Sequence, residues 1–130
     1  MKKVAGVIGG WLVVLLWAGV IYWFSAQPDL ASGFEPLFDT ILRKTAHAAE
    51  FFVLAYLLFQ ANRQQGASNS AALLLATIAS IGYAGADEYH QSMVAGRVAA
   101  FSDVFIDTFG IVMYLALQII IFHHGKRLCY

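Results

Sequence analysis

The segment VAGVIGGWLVVLLWAGVIYWF, from Val4 to Phe24, is strongly apolar and contains no charged side chain. As an α-helix at about 1.5 Å per residue it would be roughly 31 Å long, which is the thickness of the hydrocarbon core of a bilayer. Two lysines precede it, as in a secretory signal peptide, but the apolar run exceeds the roughly 7 to 15 residues of a signal core. We therefore predict a retained transmembrane helix.

The composition of the whole chain also indicates a membrane protein. Of the 130 residues, 60% are hydrophobic and 12% are charged, which is about half the charged fraction of a soluble domain. Eight basic and eight acidic side chains cancel to a formal net charge of zero, so no charge excess favours a nucleic-acid partner. The single cysteine excludes an intrachain disulfide framework. Membrane lipid is the partner that the composition predicts.

Three further apolar blocks follow the first. The blocks 45–59 and 71–86 would each form only about 23 to 24 Å of helix, so each needs flanking polar residues in order to cross. The block 104–122 is long enough by itself. We predict an all-α integral membrane bundle of four transmembrane helices, forming a single domain over residues 1–130. The predicted helices are approximately 4–24, 43–60, 70–91 and 103–122.

The basic residues predict the orientation. One side of the membrane receives most of them, namely Lys2, Lys3, Arg63, Lys126 and Arg127. The positive-inside rule then places both termini in the cytoplasm. In the third helix, Gly82 and Ala86, with Ala79 and Gly85 nearby, form a face of small residues that predicts close packing against another helix.

With this topology, nearly all ionisable residues of the helices fall at the extracytoplasmic end. Lys44, His47 and Glu50 recur every three residues on the second helix, which places them on adjacent turns of one face. A charged side chain facing lipid costs about 2.5 to 3.5 kcal/mol at the bilayer centre. We therefore predict that these residues face one another around a polar pocket open to that side. The remaining members of the candidate ligand-binding set are Asp87, Glu88, Gln91, Arg97, Asp103 and Asp107.

Several of these residues have both a functional and a structural interpretation. Arg97 suits a phosphate or carboxylate group of a ligand, or else it is an arginine at the membrane interface. Glu50 and Asp87 are candidate acids or bases in a cavity, and His47 is a candidate proton carrier; structural ion pairing is the alternative for all three. Asp103 is also a candidate cap of the fourth helix.

A metal site is a further alternative. Its ligands would be His47, Glu50, Asp87, Glu88 and His90. A compact motif such as His-Glu-x-x-His is missing from the sequence, and a single cysteine excludes a zinc site of several cysteines. We therefore predict no metal and no cofactor.

The segments that carry these residues resemble the VanZ-like family of bacterial membrane proteins. They are KTAHAAEF at 44–51, DEYHQSMVAGR at 87–97 and SDVFIDTFG at 102–110, and WAGVIYWFSAQ at 17–27 is similar to the opening segment of that family. Two positions depart from the pattern, since Ala95 replaces a frequent proline and Asp107 replaces a frequent amide. The resemblance implies a small multi-pass protein of the bacterial cytoplasmic membrane, whose namesake is associated with low-level resistance to the glycopeptide teicoplanin.

The polar pocket and the resemblance lead to three functional hypotheses. The first is recognition of an envelope ligand, either a glycopeptide antibiotic or a peptidoglycan or other lipid-linked precursor, with Lys44 and Arg97 as anion contacts. The second is an intramembrane hydrolase or transferase acting on lipid-linked precursors, with Glu50 or Asp87 as base and His47 as proton shuttle. The third, a proton-coupled transporter, ranks last because polar residues are scarce in the inner half of the helices. The oligomeric state does not follow from the sequence.

Overall fold

The computed structural model describes residues 2–27, 35–94 and 101–127 of the chain. These residues form four α-helices, which are α1 (Lys2–Ser25), α2 (Pro36–Gln64), α3 (Asn69–Ser92) and α4 (Phe101–Arg127). No strand occurs within these ranges. The all-α class and the four-helix bundle predicted from the sequence are confirmed.

The largest difference from the predicted helix boundaries is in α2, which begins at Pro36 instead of residue 43 and ends at Gln64 instead of residue 60. Proline is tolerated in the first turn of a helix because its missing N–H would have no intrahelical partner there. Asp39, in the first turn, forms a salt bridge of 3.1 Å with Arg43 in the next turn. This spacing of four residues supports a helix. The apolar pattern underestimates α2 because these first turns are partly charged.

The connection between α2 and α3 has well-defined capping interactions. Gly66 has a φ of +100°, the left-handed conformation that follows many helices. The N–H of Gly66 donates to the carbonyl of Arg63 at 3.0 Å, and the N–H of Ala67 donates to that of Asn62 at 3.2 Å, which is the Schellman pattern. At the start of α3, the Ser68 hydroxyl accepts from the backbone N–H of Ala71, so Ser68 caps this helix.

Contacts between α1 and α2 establish the directions of the first two helices. Trp17 of α1 reaches Glu50 of α2, and Gly10 of α1 lies against Gln64 near the end of α2. Because the residue numbers increase in opposite senses, α1 and α2 are antiparallel. The short connection at 65–68 makes α3 antiparallel to α2 in turn.

The fourth helix runs parallel to α2. Lys44 pairs with Asp103 at one end of the two helices, and the ring of Phe59 contacts that of Phe122 at the other. The start of α1, the α2–α3 connection and the end of α4 therefore lie together at what we call the loop end. At the opposite end, called the polar end, α1 and α3 finish and α2 and α4 begin.

Three of the helices are long and apolar enough to cross a membrane, namely Val4–Ser25, Asn69–Ser92 and Asp103–His124. α2 contacts each of these three helices and carries more charged residues than any of them. Large apolar side chains such as Leu15, Leu16 and Phe105 face outward, whereas soluble monomers rarely expose extended apolar surfaces. The chain is therefore a membrane protein, and the cytoplasmic location of its termini stays a prediction.

α2 and α4 approach each other closely at Gly110. A Cβ atom added to Gly110 would overlap the backbone carbonyl of Ala48, so only glycine allows these two backbones to touch. The close packing predicted at Gly82 and Gly85 is wrong within the described part of the chain. Both glycines are exposed, and an added Cβ would meet nothing within 4 Å.

Candidate functional site

The polar end brings together ionisable and amide side chains from three helices. Their clustering follows from the antiparallel arrangement, because the end of α3 lies beside the starts of α2 and α4. Arg97, which belongs to the predicted set, lies outside the described residues. The predicted site residues that the structure places at this end are Lys44, His47, Glu50, Asp87, Glu88, Gln91, Asp103 and Asp107.

The centre of the cluster is His47, on which two aspartates converge from different helices. Its Nδ1 atom lies 3.2 Å from Oδ1 of Asp107. One ligand atom from each of His47, Asp87 and Asp107 lies within 4.8 Å of the other two. Asp87 is 4% exposed and Asp107 is 1% exposed, while Glu50 also interacts electrostatically with His47. The structure thus places an imidazole among carboxylates inside the bundle.

Asp87 is held in place by its own helix. The Gln91 side chain donates a hydrogen bond of 2.7 Å from Nε2 to Oδ2 of Asp87, as the spacing of four residues predicts. The other carboxylate oxygen, Oδ1, is buried and has no hydrogen-bond partner among the described residues. Because a buried acceptor without a donor is costly, such a group calls for an explanation.

The outer rim of the cluster is more exposed. Lys44 Nζ lies 3.8 Å from Oδ1 of Asp103, with about half and one third of the two side chains exposed. Asp103 lies inside the first turn of α4, which begins at Phe101, so its predicted position as the cap before the helix is wrong. A negative charge in the first turn is nevertheless favourable to the helix dipole.

Two aromatic residues that the sequence does not assign to the site attach the cluster to α1. The indole N–H of Trp17 donates to the backbone carbonyl of Glu50 at 3.0 Å. The hydroxyl of Tyr83 donates to the backbone carbonyl of Ala18 at 2.7 Å. Tyr83 precedes Asp87 by one turn, and that spacing is the signal that could have found it.

The set of residues considered for a metal differs from the one that the structure assembles. His90 stacks on Tyr22 with ring centroids 4.2 Å apart and is not part of the compact group. Within the described ranges, the group close enough to share an ion is His47, Asp87 and Asp107. Asp107 enters this group because α4 is packed tightly against α2 at Gly110.

An apolar groove adjoins the cluster on the outer side of α2 and α4. Its volume is about 540 Å³, and it is lined by apolar side chains that include Ile41, Phe52 and Met113. Lys44 also lines this groove, and its ammonium group is near the rim carboxylate described above. The groove therefore joins a surface suited to hydrocarbon with a cation at the polar end.

The fold and the site define a helical membrane protein with a buried histidine–carboxylate cluster at one end of its bundle. The chain matches the model of the VanZ/LLP1 family over residues 10–122. It belongs to this family, as the resemblance of its polar segments indicated. No curated protein and no solved structure matches it.

Proposed function

We propose that the chain is a cell-envelope protein that recognises a lipid-linked peptidoglycan precursor at the polar end, facing the outside of the cytoplasmic membrane. By the resemblance given above, this recognition would contribute to low-level teicoplanin resistance. The observation that carries the proposal is the position of Lys44, which lines the apolar groove and neighbours the buried cluster.

The groove supports a ligand with a long hydrocarbon chain. Its apolar lining lies between α2 and α4. Phe109 and Met113 belong to this lining and are exposed on the outer surface of the bundle. A polyprenyl chain could enter from the bilayer without crossing water. The anionic phosphate of the same molecule would then meet Lys44, a side chain suited to bind phosphate as a point charge.

The buried carboxylates support a polar headgroup beyond the phosphate. Asp87 and Asp107 are buried acceptors, and a buried acceptor without a hydrogen-bond donor costs several kcal/mol. Hydroxyl, amide and ammonium groups of a muropeptide headgroup are the donors that such acceptors bind. Arg97, from the segment 87–97, is the proposed second anion contact.

The experiment measures binding of a polyprenyl-diphosphate muropeptide to the protein in lipid nanodiscs. Lys44→Gln should weaken binding about tenfold, the value of one charge-assisted hydrogen bond. Its matched control is Arg43→Gln, because Arg43 is a neighbouring cation that pairs with Asp39. Ala49→Phe should abolish binding by filling the groove that Ala49 lines, whereas Ala79→Phe on the outer side of α3 should not.

Two results would contradict the proposal. One is equal precursor binding by the Ala49→Phe and Ala79→Phe proteins, which would exclude the groove as the site of the lipid chain. The other is stoichiometric binding of teicoplanin without any binding of the precursor, which would favour direct recognition of the antibiotic. Teicoplanin susceptibility of cells producing the same variants connects binding with the phenotype.

A hydrolase or transferase is the second candidate, favoured by the 3.2 Å approach of His47 to Asp107. A histidine held by a carboxylate is a common proton carrier in catalysis. In that function, Glu50 or Asp87 would serve as base and His47 as proton shuttle. Release of a labelled headgroup by the purified wild-type protein, lost in His47→Gln, would support catalysis over simple recognition.

A further inference from the structure

We propose that His47, Asp87 and Asp107 form a binding site for one divalent transition-metal ion of the zinc type, buried in the polar end. The three residues come from α2, α3 and α4, and a ligand atom of each lies within 4.8 Å of the others. The proposal goes beyond envelope-ligand recognition and does not depend on it, because the ion is expected to bind alone. When the ion is bound, it occupies the oxygens of Asp87 and Asp107 in place of headgroup donors.

The spacing of the ligand atoms suits a zinc ion. Zinc binds histidine nitrogen and aspartate oxygen at about 2.0 to 2.2 Å, so two ligands of one tetrahedral ion are roughly 3.3 to 3.5 Å apart. Nδ1 of His47 and Oδ1 of Asp107 are 3.2 Å apart. Asp87 would have to approach the other two by no more than about 1.5 Å, a movement within the range of a side-chain rotation.

The charges of the three side chains also suit a divalent cation. Two carboxylates that are 4% and 1% exposed repel each other and have lost most of their hydration, which is costly for each ion. A divalent cation with two carboxylates and one neutral imidazole gives a locally neutral group. Mixed nitrogen and oxygen ligands favour zinc and its neighbours among the transition metals over Mg²⁺ and Ca²⁺, which prefer oxygen.

The two oxygens of the Asp87 carboxylate differ in their hydrogen bonding. Oδ1 of Asp87 is buried without a hydrogen-bond partner in the described part of the chain, although Oδ2 of the same carboxylate is held by Gln91 at 2.7 Å. An oriented carboxylate with one bonded oxygen and one available oxygen is the arrangement seen around metal ligands. Gln91 is thus the proposed positioning residue of this site.

The test uses purified full-length protein without a polyhistidine tag. The exposed tandem His123 and His124 near the end of α4 could bind zinc adventitiously, so both are changed to glutamine in the reference protein. We expect one zinc ion per chain by elemental analysis after dialysis, and an unchanged content in excess Mg²⁺. X-ray absorption should show one imidazole nitrogen together with oxygen ligands.

Variants in this reference protein locate the ion. His47→Gln and Asp107→Asn should each weaken zinc affinity at least tenfold, since loss of even an indirect partner costs about 10- to 100-fold. Gln91→Ala should fall within that range. The matched control is Asp39→Asn, which changes another buried aspartate of the polar end that pairs with Arg43, and its zinc affinity should be unchanged.

Three results would overturn the proposal: no stoichiometric zinc in the reference protein, a spectrum with several imidazoles, or equal affinities of Asp107→Asn and Asp39→Asn. Circular dichroism checks that each variant is folded, and the nearly isosteric Asp107→Asn decides the question if His47→Gln does not fold. Precursor binding measured with and without zinc separates the two proposals, because either can fail while the other holds.

Discussion

The same helices have opposite interiors at their two ends. Toward the loop end, α2 and α4 fill the space between helices with Leu54, Leu58, Phe59 and Tyr114, all at most 6% exposed. At the polar end, α3 and α4 contribute Asp87, Glu88, Gln91 and Asp107 to the interior, all at most 8% exposed. These buried polar residues are therefore part of the interior of the bundle and not a solvated rim.

The apolar core contributes to stability, whereas the ionisable cluster indicates a function. Packed apolar side chains gain dispersion contacts, whereas each buried charge costs several kcal/mol before its partners compensate. A membrane protein could fill the polar end with leucine at lower cost. The ionisable cluster is therefore best explained by what it binds, in agreement with the general behaviour of ionisable residues inside membranes.

The largest effect on stability is expected at the boundary between the apolar core and the polar end. Gly110→Leu should prevent formation of the folded bundle, because its side chain would overlap the Ala48 backbone and exceed the usual overpacking cost of about 1 to 3 kcal/mol. Gly82→Leu is the control, since the space around Gly82 is open. Unfolding in mixed micelles, followed by tryptophan fluorescence, measures both, and a stable Gly110→Leu protein would contradict this helix contact.

A smaller effect on stability is expected inside the apolar core. Phe51 is 0% exposed and its ring contacts that of Tyr83, so Phe51→Ala should lower the free energy of unfolding by about 3 to 5 kcal/mol. Leu16→Ala, on a residue that is 72% exposed, should have little effect in the same measurement. Equal losses in the two variants would mean that the packed interior does not determine stability.

The smallest effect on stability is expected at the polar end. Asp87→Asn should change the free energy of unfolding by less than about 1 kcal/mol, because it removes a buried charge while the amide retains an oxygen for Gln91. The same variant should lose precursor binding. A loss of stability above about 2 kcal/mol together with intact binding would instead make Asp87 a structural residue.

Much of the fold could be predicted because membrane insertion depends on local composition. The uncharged run from Val4 to Phe24 by itself requires a helix, and the helical spacing of Lys44, His47 and Glu50 places these residues on successive turns. The start of α2 could not be found in this way, because Pro36, Asp39 and Arg43 interrupt the apolar pattern. Small residues at Gly82 and Gly85 were equally ambiguous, because glycine spacing does not say which helix lies opposite.

Local features of the sequence establish that this chain is helical, lies in a membrane and gathers its acidic residues toward one end, because hydropathy and helical periodicity are properties of neighbouring residues. Only the tertiary structure decided that His47 meets Asp107, that Asp87 has one oxygen bound by Gln91 and one without a partner in the described chain, and that Lys44 lines an apolar groove. These contacts join different helices, and their distances depend on how closely the backbones approach. That approach is set by the packing of Gly110 against Ala48.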